Sequence, residues 1–75
     1  MGISQKEFQV MVECMTADLV ERLVQKKHYD FRNAVDTVYT SNTFAALQNA
    51  ETGLYYQSPG YVMHYLIQEI ETASR

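Results

Sequence analysis

The chain has 75 residues, 47 % of them hydrophobic, and a net charge of −3, enough apolar material to bury one small core, which argues against a disordered polymer. Its single cysteine, Cys14, cannot form an internal disulfide, no signal-like segment follows Met1-Gly2, and the apolar runs fall far short of the roughly 20 residues of a membrane span. The expectation is a soluble cytoplasmic protein forming one helical domain over 1–75, with disorder confined to Thr72 to Arg75. Charge placement excludes more than net charge does. Apart from Arg75, every basic residue lies between Lys6 and Arg32, and Asp36, Glu51, Glu69 and Glu71 then create an acidic field that repels a phosphate backbone.

Ser4 and Glu7 have the spacing of a capping box, and Ile3 with Phe8 that of a hydrophobic staple, so a first helix should start at Gln5. Neither proline nor glycine interrupts the chain from there to Lys27, and Lys26, Lys27 and His28 suit the negative end of a helix dipole. The pattern predicts one long helix, with a bend considered near Thr16. At about 100° per residue, Phe8, Met11, Val12, Met15, Leu19 and Leu23 form a core-facing stripe. A second stripe, Val10, Cys14, Ala17, Val20 and Val24, lies on roughly the opposite side, with Glu13, Asp18 and Glu21 at the edges between. Such a helix is either central in its own bundle or covered by another chain. Partner contact is the expectation here, because the remaining helices are too short to surround the first.

Asp30 caps a short second helix, Phe31 to about Tyr39, with Phe31, Val35 and Val38 as its buried edge. Thr40-Ser41-Asn42 breaks it and offers the next cap, for a third helix of about Thr43 to Gln48 that buries Phe44 and Leu47. Asn49 suits the left-handed residue that ends a helix, and Glu51-Thr52-Gly53 a turn. Leu54 to Gln57 reads as an extended connector, in which one of Tyr55 and Tyr56 points inward and the other outward. Ser58-Pro59 starts the last helix, to about Thr72, with Val62, Leu66 and Ile70 as core line, Met63 and Ile67 beside it, and Tyr61 and Tyr65 on an adjoining edge. The fold class is therefore all-α, a compact bundle of about four helices.

No motif identifies a reaction. Cys14 could pair with His28 or His64 as a thiol–imidazole couple, but a mid-helix cysteine in an apolar stripe more often behaves as a small hydrophobe. His64 and Glu69, five apart on one helix, do not share a face, and no other spacing suits a metal. Gly53 and Gly60 belong to no phosphate-cradling loop. The expectation is a non-enzyme without cofactor or metal. Tyrosine combines a large ring with a polar tip, so Tyr39, Tyr55, Tyr56, Tyr61 and Tyr65 could line an interface or roof a small core. The second and third helices have the lengths of a helix-turn-helix, yet Thr43 to Asn49 brings no lysine or arginine to a base edge, which leaves a dimeric DNA-binding protein as the alternative.

The chain resembles a family of short, uncharacterised bacterial all-helical proteins. The residues that carry the likeness are Ala34-Val35, Tyr39-Thr40-Ser41, Phe44 and Leu47, then Glu51 to Tyr55, Ser58 to Tyr61 and the segment Leu66 to Glu69, within about residues 16 to 70. The resemblance implies a small partner-binding protein, some of whose relatives are encoded beside predicted toxin genes, and hence an antitoxin-like or regulatory role. It transfers no functional residue. From the residues themselves, the leading function is a protein–protein interaction module that self-associates through the first helix, with Val10, Cys14, Ala17, Val20, Val24, Tyr55, Tyr56, Tyr61 and Tyr65 as candidate partner-binding positions.

Overall fold

The computed structural model describes residues 2–73 as an all-α bundle, with no strand among the described residues. Helix α1 spans Gln5–Lys27, α2 Phe31–Tyr39, α3 Asn42–Leu47 and α4 Pro59–Ala73, and two single 3₁₀ turns, Ala50–Thr52 and Leu54–Tyr56, join α3 to α4. At 1.5 Å per residue α1 alone is about 34 Å long. It sets the long axis of a molecule measuring 41 × 22 × 19 Å.

Each helix starts where a short polar side chain can accept a free backbone N–H. Ser4 accepts from Glu7 N–H at 3.0 Å while the Glu7 carboxylate accepts from Ser4 N–H at 2.9 Å, completing the capping box. Asp30 accepts from Asn33 N–H at 2.7 Å, Ser41 from Phe44 N–H at 3.0 Å and Ser58 from Tyr61 N–H at 3.2 Å. α1 runs unbroken and stops at His28, which takes the left-handed conformation at φ 62° so that Tyr29 N–H can reach back to the Leu23 carbonyl at 3.1 Å.

The core is one cluster. Val12, Met15, Leu19, Val20 and Leu23 of α1 meet Ala34 and Val38 of α2, Leu47 of α3, and Val62, Met63 and Leu66 of α4. α1 packs against α2 along one flank and against α4 and the Leu54–Tyr56 turn along another. The two buried polar side chains are satisfied: Thr16 donates to the Val12 carbonyl at 2.7 Å and Thr43 to Glu69 at 2.8 Å.

Several local expectations are corrected. α3 begins at Asn42 and ends at Leu47, one residue earlier at each end than the spacing predicts. Asn49 is extended rather than left-handed, because its side-chain carbonyl accepts from Glu51 N–H at 3.0 Å and starts the next turn. Leu54–Tyr56 is a 3₁₀ turn rather than an extended connector, launched by Gly53 at φ 73°. The inward and outward tyrosines survive that change: Tyr55 is half-buried, edge-on to Phe8 at 4.8 Å, and Tyr56 is exposed. Phe31, expected in the core, is 70 % exposed, since α2 turns Ala34 and Val38 inward instead. Thr72 and Ala73 are helical, and Ser74 and Arg75 lie outside the described residues.

Candidate functional site

The second stripe of α1 does not remain a single surface. Because α2 folds back along that flank, Val20 is sealed into the chain's own core and Val24 is half-buried against it. Val10, Cys14 and Ala17 stay exposed. Val20, 7 % exposed, thus offers a partner only one edge of its side chain.

What replaces the stripe is a groove. Ala17, Val20 and Val24 of α1 form its floor, Phe31, Val35 and Tyr39 of α2 its far wall, and it encloses about 550 Å³. Phe31, Val35 and Tyr39 recur every four residues, so they make one line along α2, while Ala34 and Val38 make a second line that faces the core. Phe31 is 70 % exposed, Tyr39 54 % and Val10, nearby on α1, 51 %. The Tyr39 ring is braced against Phe44 of α3, with centroids 4.8 Å apart. Past Tyr39 a smaller hollow of about 390 Å³ adjoins it along α1, bounded by Gln5, Phe8, Gln9, Phe44 and Gln48, and the two parts share Glu13, Thr16 and Tyr39. Tyr39 is among the tyrosines expected at an interface, but Phe31 and Val35 are expected on a buried edge, so sequence reasoning missed the line the three make although their spacing of four carried the signal.

The remaining tyrosines do not join this groove. Tyr61 and Tyr65 stand one turn apart on the outer face of α4, rings edge-to-face at 5.3 Å and hydroxyls 3.2 Å apart. The Tyr65 hydroxyl raises the Tyr61 phenol above its ordinary value, first through the hydrogen bond and then through charge repulsion. Tyr56 lies across Gly53, where its hydroxyl would stand 2.9 Å from any added Cβ. Tyr55 is occupied by Phe8 on one side and Tyr56 on the other.

A second hollow, about 720 Å³, lies between α3 and α4, lined by Asn42, Thr43, Ala46, Leu54, Tyr65 and Glu69 among others. Its one charged group is already engaged. The Glu69 carboxylate accepts from Asn42 N–H at 2.6 Å, Thr43 N–H at 2.9 Å and the Thr43 hydroxyl at 2.8 Å. Burial pulls the Glu69 carboxyl upward, but these hydrogen bonds outweigh it and hold the group below its ordinary value. A carboxylate therefore sits on the first free N–H groups of α3, the place where a helix-turn-helix reading would bring a phosphate.

Cys14, His28 and His64 are all exposed. No group of three or more histidine, cysteine or carboxylate side chains that could hold a metal ion occurs among the described residues, and no helix there is long and apolar enough to cross a membrane. Compared with known proteins, the chain matches no family model, no curated sequence and no solved structure, so the groove is read from its own chemistry.

Proposed function

We propose that the chain is a non-enzymatic protein–protein interaction module whose docking face is the groove between α1 and α2. The observation that carries this reading is the exposure of Phe31 and Tyr39 beside an apolar floor of Ala17 and Val24. A lone exposed phenylalanine would need no explanation; a line of large apolar side chains bordering a groove marks a surface that another molecule covers. Aromatic side chains of this kind are the ones that supply most binding energy at protein interfaces.

Self-association through α1 is the narrower form of this proposal, and only Val10, Cys14 and Ala17 of its five stripe residues remain fully open to serve it. An antitoxin-like or regulatory role extends the proposal and rests on the resemblance alone. The alternative, a dimeric DNA-binding protein, gains no support: α3 is six residues long, carries no basic residue, and already holds an anion at its N-terminal end.

The test replaces Phe31 with a photo-crosslinking phenylalanine analogue in the cells that make the protein. A discrete adduct is expected, either to a second copy or to another polypeptide, and no comparable adduct when the analogue replaces Gln68 on α4. Absence of any discrete adduct at Phe31, together with a monomeric mass by light scattering across a dilution series, would sink the proposal.

A further inference from the structure

We infer that the α1–α2 groove takes an amphipathic helix of a different protein, one whose apolar stripe is flanked by lysine or arginine, rather than a second copy of this chain. This rests on the interaction reading above and commits it to one occupant. Shape comes first. The two connected parts of the groove run beside α1 from Gln5 to Gln25, a distance of about 30 Å at 1.5 Å per residue, which a helix of about 20 residues fills. The floor is low where Ala17 lies, so a helix axis can approach to the usual 8–10 Å, roughly the spacing of packed helices. An extended segment fits worse. The described residues offer no strand edge, and its backbone N–H and C=O groups would face carbon without partners, whereas a helix satisfies its own.

Charge then selects the occupant. The charged side chains lining the groove, Glu13 and Glu21, are both acidic, and its other polar neighbours there include the uncharged amides Gln5, Gln9, Gln25 and Gln48. No lysine or arginine lines the groove. Arg22 is held by Asp18 at 2.7 Å, Lys6 lies beyond the lining at one end and Lys26 and Lys27 beyond it at the other, and Arg32 shares a separate shallow hollow with Phe31 and Asp36. A second copy of α1 meets this surface badly. Laid antiparallel about Ala17 it brings Val10 against Val24 and, at the helix ends, Glu7 against Lys27, which suit it, but beside the apolar floor it brings Glu13 against Glu21 twice by symmetry; laid parallel it sets each glutamate against itself. A helix with basic rows beside its apolar stripe turns the Glu13 and Glu21 contacts from repulsive to attractive.

The experiment selects helices from a display library on the immobilised full chain. The probe is an 18-residue helix with Ala, Val, Leu or Phe randomised along one stripe and Lys, Glu or Gln randomised along both flanking rows. Enrichment of lysine at the flanks is expected. The selected helices should bind about tenfold more weakly to a Glu13→Gln, Glu21→Gln variant at low salt, a gap that closes at about 0.5 M salt, because two exposed charge pairs account for about that factor. Phe31→Ser should abolish their binding, and both variants alter exposed positions, so helicity by circular dichroism should be unchanged. Enrichment of acidic or neutral flanks, or no enrichment, overturns the inference. So does a dimer in solution that Phe31→Ser converts to monomer, since the second copy is then the occupant. With such a dimer, or with a failed selection while Phe31 still crosslinks another protein, the interaction reading stands and this one falls.

Discussion

Substituting Glu69 tests the contact that fastens α3 to α4. The four free N–H groups at the start of α3 have a complete set of acceptors: the Val38 carbonyl takes that of Ser41, Glu69 takes those of Asn42 and Thr43, and the Ser41 side chain takes that of Phe44. In Glu69→Ala the exposed Asn42 N–H turns to water, but Thr43 is only 6 % exposed and its N–H and hydroxyl lose their acceptor. An orphaned buried donor costs about 1–3 kcal/mol, and loss of a negative charge at a helix N-terminus about 0.3–1 kcal/mol. The expected loss is about 2–4 kcal/mol, against a total on the order of 4–11 kcal/mol for a domain this long. With a urea m-value of about 1 kcal/mol/M, the midpoint should fall by about 2–4 M in denaturation followed by circular dichroism. A loss below about 0.5 kcal/mol at unchanged m would refute the reasoning. The pH dependence carries the same signature. The Glu69 carboxyl ionises more readily in the folded chain than at its ordinary value of 4.5, so its stabilisation is complete above that value and is lost as pH falls through the lower folded one. Glu69→Gln should flatten that part of the stability–pH curve.

Gly53→Ala should destabilise by about 1–2 kcal/mol, since φ is +73° and the new Cβ would stand 2.9 Å from the Tyr56 hydroxyl oxygen. Adding Tyr56→Phe should recover only the part due to that contact, and full recovery in urea denaturation would show that the backbone is not strained. Leu23→Ala, at a side chain with no exposure, should cost about 2–5 kcal/mol. Phe31→Ser should stay within about 0.5 kcal/mol, and a larger loss would mean that Phe31 serves the fold rather than the surface.

The helices were legible because their starts are local. Ser4 with Glu7, Asp30, Ser41 and Ser58 each act on a backbone group three residues away, so spacing along the chain suffices to find them. The connector from Asn49 to Gln57 was less legible, since a three-residue segment has no period by which a 3₁₀ turn differs from an extended one. The groove was half visible. The periodicity of α1 marked Ala17 and Val24 as an apolar face, but whether α2 would cover Val20 and turn Phe31 outward depends on how two helices pack, which neither pattern contains. The Glu69 contact was not visible at all, because its partners lie 26 and 27 residues away and no local motif links them.

That long reach gives α3 a place in the order of folding. A helix of six residues does not persist alone in water, because the cost of its first turn is never recovered. Two of the acceptors it needs at its start arrive only when α4 has docked. α1 and α2, adjacent in sequence and closed by their own caps, can pair early, while α3 completes the bundle late. A contact made after the rate-limiting barrier slows escape from the native state without hastening arrival. Loss of the Glu69 carboxylate is therefore expected in the unfolding limb of a chevron plot, with the refolding limb nearly unmoved.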